Sequence, residues 1–208
     1  MFSTIQRSPT EAGSSSPKVA SSSPQNKNAP LMQLFTDGLK DMLWSEEAII
    51  EGLKKLQKAA SNETLAEAFE EHEIETKKHI SRLEKVFESL GQAPQRKKCA
   101  AMEGILKEAD EILKSTPESS ATRDAGLIIA AQKVEHYEIA SYGGLVALAH
   151  TLELTKVANR LQQTLDEEED TDLHLTEIAE TEINFEAAEE DPDQQQDGKT
   201  PKSEEKNQ

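Results

Sequence analysis

Apolar residues recur every three or four positions through four long segments of the chain. This spacing places them on one face of an α-helix, so it predicts four amphipathic helices at about 31–60, 63–90, 123–151 and 155–185. A shorter segment of the same period, 99–114, separates the second from the third. A short first link and a long middle one are typical of an all-α four-helix bundle with one crossover. We expect the additional short helix in that crossover, between helices 2 and 3.

The two ends of the chain lack this period. Residues 1–30 contain eight serines and four prolines, and residues 186–208 are rich in acids and glutamine. Segments of this kind bury too little apolar surface to offset the entropy lost on ordering. We therefore divide the chain into a disordered Ser/Pro-rich arm at 1–30, a helical bundle at 31–185 and a disordered acidic tail at 186–208.

Each long helix carries ionisable residues at mid-length on the face that should enter the core. A helix turns by about 100° per residue, so the direction of each side chain relative to the apolar face can be calculated. Six residues lie inside this face or on its border: Glu46 in the first helix, His72 and Glu75 in the second, Glu138 in the third, and Glu168 and Asp172 in the fourth. In an up-and-down bundle these positions reach similar depths, so we expect the six side chains to meet.

Neighbouring ionisable residues fall outside this set by the same measure. Glu47 lies at or beyond the edge of the apolar face, and His136 points away from it. Glu167 and His174 are expected to face solvent, and Glu135 lies on the border of the third helix. The direction of the side chains therefore excludes Glu47, His136, Glu167 and His174, and Glu135 at the border is not among the six predicted residues.

Other polar residues on the core faces have simpler explanations. His79 lies on the apolar face of the second helix, where a histidine is more often a hydrogen-bonded core residue than a ligand. Tyr142 or Thr76 could donate a hydrogen bond to one of the predicted carboxylates. Cys99, the single cysteine, is expected to be structural because nothing in the sequence points to a catalytic partner for its thiol.

A metal centre would explain why so many acids point at one core. An unpaired buried ion costs several kcal/mol even after relaxation, and several carboxyl groups together would have to take up protons. Cations between them remove that cost. A set rich in carboxylate oxygen, with one imidazole, suits iron or manganese better than zinc or copper(I). We predict two metal ions, with iron first and manganese second. The simpler explanation for any single acid is that it lies at the border of the apolar face and its side chain reaches solvent.

The net charge of −17 limits the partners of the protein. An acidic surface repels nucleic acid and anionic membrane, so we expect neither as a partner. No run of apolar residues is long enough to span a bilayer. One cysteine allows no disulfide within the chain, which is consistent with a reducing compartment, and we expect the protein in the cytoplasm.

The segments that carry these residues resemble the YciE/YciF family of ferritin-like stress proteins. The resemblance rests on QKVEHYEIASYG at 132–143, on SNE at 61–63 with AF at 68–69 and His72, on ET at 75–76, on Cys99 with AMEG at 101–104, and on TL at 164–165 with Glu167, Glu168, Thr171 and Asp172. It covers about 31–181 and implies a ferritin-like bundle with an additional crossover helix, and a homodimer. It also implies a di-metal centre at Glu46, His72, Glu75, Glu138, Glu168 and Asp172.

The chain departs from the general ferritin-like pattern, in which two helices carry Glu-x-x-His. Its second helix reads in the reverse order, His72-x-x-Glu75, and its fourth offers Glu168 and Asp172 without an inward histidine. The predicted site is therefore unusually rich in carboxylates, and the pattern does not fix a reaction.

Three classes of function remain open from the sequence. The first is a stress-associated ferritin-like protein that binds two iron or manganese ions and oxidises Fe(II) or consumes peroxide or oxygen. The second is a metal-free helical dimer, acting as a structural or interaction protein, in which buried polar groups set helix register and pairing. The third is an acidic DNA mimic or a chaperone-like protein, and it rests on the charge alone. The sequence leaves open whether the protein is an enzyme.

Overall fold

The computed structural model describes residues 29–190, and within that range the chain is helical with no β-strand. The helices are α1 (Ala29–Ala59), α2 (Glu63–Ser89), α3 (Ala100–Ser115), α4 (Ala121–Thr151), α5 (Thr155–Ile178) and, after a π-helical turn at Ala179–Ile183, α6 (Asn184–Glu189). The all-α prediction is confirmed. Nearly all of the predicted arm at 1–30, and most of the predicted tail at 186–208, lie outside the described residues.

Four long helices form the bundle. α1 packs against α2 and α4 against α5, while contacts of α1 with α4 and of α2 with α5 close the four-sided arrangement. The links at 60–62 and 152–154 are only three residues long, so each of the first two pairs is antiparallel. The short helix α3 lies in the crossover and packs against α1 and α4, as the sequence predicts.

Side chains at the links fix where the helices begin and end. Asn62 caps α2, because its side-chain oxygen accepts a hydrogen bond from the backbone N–H of Leu65 at 3.0 Å. Asp124 of α4 holds the same link from across the bundle, accepting hydrogen bonds from the backbone N–H groups of Ser61 and Asn62, each at 2.9 Å. Gly91 takes a φ of +68° after α2, a conformation that glycine adopts without strain.

The last long helix is not continuous. The sequence predicts one helix as far as residue 185, whereas α5 gives way to the π-helical turn at Ala179–Ile183. A π turn brings residues five apart to the same side, so Ile178 and Ile183 are both buried. Beyond it, the carboxylate of Glu190 accepts hydrogen bonds at 3.0 Å from the backbone N–H groups of Ala121 and Thr122, where α4 begins.

The apolar core has two parts. One, the Phe69 cluster, includes Ile49, Leu53, Leu65, Phe69, Met102, Leu127, Leu175 and Ile178. The other, the Phe87 cluster, includes Phe35, Leu39, Leu43, Leu83, Phe87, Tyr142, Leu145 and Leu161. In each long helix, buried ionisable residues lie between the members of the two clusters. None of the helices in 29–190 is long and apolar enough to cross a membrane.

Candidate metal centre

Each long helix places ionisable side chains between the two apolar clusters. The buried polar cluster consists of Glu46 from α1, His72 and His79 from α2, Glu135 and Glu138 from α4, and Glu168 from α5. None of these residues is more than 5% exposed. Four carboxyl groups and two imidazoles thus share one apolar interior.

The first part of this cluster, the His72 group, contains His72, Glu135, Glu138 and Glu168. Each residue offers one ligand atom, and these atoms lie within 4.8 Å of one another. The Nε2 atom of His72 is 3.4 Å from Oε2 of Glu135 and 3.8 Å from Oε2 of Glu168. These separations leave room for a cation among the four side chains.

The second part, the His79 group, contains Glu46, His79 and again Glu168. The Nδ1 atom of His79 is 2.9 Å from Oε1 of Glu168 and 3.6 Å from Oε2 of Glu46. Glu168 therefore belongs to both groups and presents a different carboxylate oxygen to each histidine. The two imidazole ring centres are 6.4 Å apart.

Further polar residues hold the His79 group in place. The Nε2 atom of His79 lies 2.9 Å from Oε2 of Glu167. Arg82 donates hydrogen bonds to both oxygens of that carboxylate, at 2.8 and 3.0 Å. The buried hydroxyl of Tyr142 donates to Oε1 of Glu46, as the sequence suggests. Thr76 instead donates to the backbone oxygen of His72, at 2.8 Å.

The crowding of these groups changes their protonation. Burial and the carboxylates of Glu46 and Glu168 raise the pKa of Glu138 well above 4.5. Burial and the carboxylates of Glu135 and Glu46 raise the pKa of Glu168 to about 7, although His79 opposes the shift. Burial alone would lower the pKa of both histidines. The neighbouring carboxylates outweigh burial and raise the pKa to about 9 for His72 and about 11 for His79.

Many polar atoms of the buried polar cluster have no hydrogen-bond partner within residues 29–190. They are Oε2 of Glu46, Nε2 of His72, Nδ1 of His79, and both carboxylate oxygens of Glu135, Glu138 and Glu168. Such atoms are rare in folded proteins, and each one is a good metal ligand. The donor set therefore fits cations of the kind that prefer oxygen with some imidazole nitrogen.

The six residues of the sequence prediction divide into two sets. The structure brings together Glu46, His72, Glu138 and Glu168 in the buried polar cluster. Glu75 is half-buried and borders a cavity beside His72, with its carboxylate near His79 and Glu167. Asp172 is also half-buried, and its Oδ1 accepts a hydrogen bond from Nε2 of Gln132 at 3.1 Å. Ligation by any of the six remains a prediction.

Two residues that the sequence left out of the site belong to the buried polar cluster. Glu135, placed on the border of the apolar face, is only 1% exposed. His79 is a buried core histidine as expected, but its Nδ1 faces two carboxylates. A signal for both was available, because Glu135 lies three residues before Glu138 and His79 lies seven after His72, on the same helix faces.

The surface predictions have a mixed outcome. The side chain of His136 is 69% exposed, and His174 is exposed, as expected. The prediction that Glu167 faces solvent is wrong, because its side chain is only 23% exposed and bonds His79 and Arg82. Glu47 lies near the surface, where it pairs with Arg96.

Comparison with known proteins places the whole helical region in one family. Residues 30–188 match a family described as a domain of unknown function, DUF892. Over 155 residues the chain is 46% identical to protein YciF of Escherichia coli strain K12, a match that covers 74% of this chain and 93% of YciF.

Solved structures agree with this assignment. The crystal structure of the Escherichia coli stress protein YciF matches with a TM-score of 0.71 and 45% identity, over 74% of this chain and 97% of that one. YcfI from Rhodopseudomonas palustris matches with a TM-score of 0.69 and 37% identity, over 70% of this chain and 92% of that one. A protein from Xanthomonas campestris, 19% identical with a TM-score of 0.61, shares the fold.

Proposed function

Because the chain belongs to the YciE/YciF family of ferritin-like stress proteins, we propose that it binds two metal ions in the buried polar cluster and uses them in a stress response. Iron is the first candidate and manganese the second, since four carboxylates outnumber two imidazoles. The proposed role is oxidation of Fe(II) or consumption of peroxide or oxygen.

The position of Glu168 is the observation that carries this proposal. Its Oε2 lies towards His72 and its Oε1 towards His79, at 3.8 and 2.9 Å from the respective ring nitrogens. A carboxylate with its two oxygens directed at separate ligand groups would be able to contribute to both ion positions. A carboxylate that served only in a structural salt bridge would need only one histidine beside it, whereas Glu168 has two.

Each ion then has its own protein ligands. His72, Glu135 and Glu138 would hold one ion, Glu46 and His79 the other, and Glu168 both. In this proposal Glu75 and Asp172 lie outside the two ion positions. When bound, two iron ions would supply redox chemistry towards oxygen or peroxide.

The surrounding residues prepare the site. Tyr142 orients the carboxylate of Glu46, and Glu167 accepts a hydrogen bond from Nε2 of His79, so Nδ1 would become a ligand once a cation displaces its proton. The Phe69 and Phe87 clusters keep water from both ends of the site, so electrostatic interactions inside it are weakly screened.

Metal titration tests the proposal. Protein stripped with a chelator and supplied anaerobically with Fe(II) should bind two ions per chain. Glu46→Ala and Glu138→Ala should each lose bound metal while circular dichroism shows the helices retained. Much less than one ion per chain in the unmodified protein would refute the proposal.

The metal-free interaction protein makes the opposite prediction for Glu138→Leu. Replacing a buried acid by an apolar residue should then stabilise the fold and leave function in the cell intact, whereas metal chemistry would be lost under our proposal.

Homodimer formation remains a prediction, supported by a groove of about 330 Å³ between α1 and α4 next to Leu34, which is 60% exposed. The net charge of −17 supports the expectation of no nucleic-acid or membrane partner.

A further inference from the structure

A cavity between α2 and α5 leads to the buried polar cluster. It has a volume of about 200 Å³ and is bordered by both His72 and Glu135. These residues are only 5% and 1% exposed, so they form its inner end. The Nε2 atom of His72 and both carboxylate oxygens of Glu135 have no hydrogen-bond partner in the described chain. The inner end of the cavity therefore borders two residues that carry ligand atoms without partners.

The outer wall of this cavity is acidic. Glu71 and Glu75 line it from α2, and Asp170 and His174 line it from α5. Glu71, Asp170 and His174 are exposed, whereas Glu75 is half-buried. Acidic side chains therefore extend from the surface towards the inner end, with Glu75 between.

Glu75 has a second relation to the site. It offers a ligand atom within 4.8 Å of atoms of His79 and Glu167, and these three residues form a further group that could hold a cation. Glu75 therefore borders the cavity and also lies near Glu167, the carboxylate that bonds His79. Of the three acids in the outer wall, Glu71 and Asp170 belong to no such group within the described chain.

A second cavity that reaches Glu135 has a different character. It has a volume of about 90 Å³ and lies between α1, α3 and α4. Its walls are mostly apolar, including Ile49, Leu113 and Val134. Glu51 and Asp110 also line it, but each already pairs with a lysine, Glu51 with Lys54 at 2.8 Å and Asp110 with Lys55 at 2.9 Å. A hydrated cation would therefore lose its water there with little gain in charge compensation, which is unfavourable. The acidic cavity offers carboxylates that can replace that water in steps.

We propose that the acidic cavity is the route by which a divalent cation reaches the buried polar cluster, with Glu75 as the residue that captures it. This inference rests on the proposed metal binding and adds a path and a capturing residue. Clefts lined by one sign of charge raise the local concentration of counter-ions and their rates of association. The route thus predicts a role for Glu75 in the rate of loading, separate from the number of ions finally held.

Stopped-flow mixing of chelator-stripped, full-length protein with Co(II) measures this rate through the visible absorption of bound cobalt. The test variant is Glu75→Gln with Asp170→Asn, which removes two charges from the cavity. The matched control is Glu70→Gln with Asp166→Asn, which removes two exposed charges from the same helices outside it. We expect loading to slow by about tenfold in the test variant at low salt and to change little in the control. At high salt the difference should shrink because exposed charges are screened.

The outcomes separate the route from metal binding itself. Two bound cobalt ions in all proteins, with slow loading only in the test variant, support the route. Equal loading rates in both variants overturn the route while metal binding stands. Fewer bound ions in the test variant would make Glu75 or Asp170 a ligand of a resident ion, which overturns the capture role. No cobalt bound by the unmodified protein would refute the proposed function, and the route with it.

Discussion

The His79 group and the His72 group share Glu168 but are supported in different ways. In the His79 group, the far nitrogen of His79 meets Glu167, which Arg82 holds with two hydrogen bonds, and Tyr142 holds Glu46. In the His72 group, neither Glu135 nor Glu138 has a hydrogen-bond partner within 29–190. The acidic cavity also reaches the His72 group and not Glu46.

This difference assigns separate tasks to the two groups. Hydrogen bonds to the far side of a ligand fix its orientation, so under the proposed function the His79 group would hold its ion more tightly. The buried oxygens of Glu135 and Glu138 in the His72 group have no hydrogen-bond partner within 29–190, so their orientation is less fixed. We therefore expect exchange with solvent to be faster at the His72 group than at the His79 group.

Removing Glu168, the residue that both groups share, should have the largest effect on metal binding, because it should weaken both groups at once. Glu168→Ala takes an oxygen from both groups, so we expect the bound metal to fall from two ions to less than one per chain. Glu169→Ala, at the exposed neighbouring position, is the control and should bind two. Metal quantitation after desalting measures both, and two ions in Glu168→Ala would show that this residue does not bridge.

A pH dependence of stability should follow from the protons that the metal-free cluster retains. The pKa is raised from 4.5 to about 7 for Glu168, and from 6.5 to about 9 and about 11 for His72 and His79. The folded chain therefore binds more protons than the unfolded chain between about pH 5 and pH 11, and stability falls as pH rises through that window. His72 loses its proton before His79, so the His72 group should weaken first.

We expect metal-free protein to be several kcal/mol less stable at pH 9 than at pH 6, because Glu168, His72 and His79 all have raised pKa values that fall on this interval or above it. Urea denaturation at the two pH values measures the difference. Bound metal should weaken or reverse the trend, because cations favour deprotonated ligands. Greater stability of the metal-free protein at pH 9 would contradict the protonation described here.

A smaller effect should be confined to the His79 group. Arg82→Gln removes the two hydrogen bonds that hold Glu167, so His79 loses its fixed orientation. The affinity for one ion should fall by about 10–100-fold, and the affinity for the other should stay unchanged. Arg160→Gln, which removes an arginine bonded to Ser89 at the surface, serves as the control. Stepwise Mn(II) titration followed by electron paramagnetic resonance distinguishes the two ions, and an equal loss at both would argue against separate groups.

The fold was largely predictable because periodicity reports directly on helices. The predicted second helix begins at residue 63, where α2 begins, and the first was placed two residues after the start of α1 at Ala29. The π-helical turn at Ala179–Ile183 was not predicted, since no residue type marks it. Its position depends on burying Ile183, which only the packed bundle determines.

The sequence predicted those site residues whose burial depends only on the apolar face of their own helix. Glu46, His72, Glu138 and Glu168 lie inside their own apolar faces, and all four are buried together. Glu167 was misjudged because Arg82, from another helix, covers it. Glu135 was left at a border because the apolar face of α4 extends further round the helix where α3 packs beside it, a contact that the sequence of α4 does not contain.

The division of the apolar core has a consequence for how such proteins diverge. The Phe69 and Phe87 clusters each draw on several helices and lie on either side of the charged layer. Substitutions within that layer can therefore alter its chemistry while both clusters preserve the shape of the bundle. Over evolutionary time, backbone similarity would persist after the ligands had changed. Within this fold, the identity of the residues in the charged layer is therefore a better guide to shared chemistry than the similarity of two backbones.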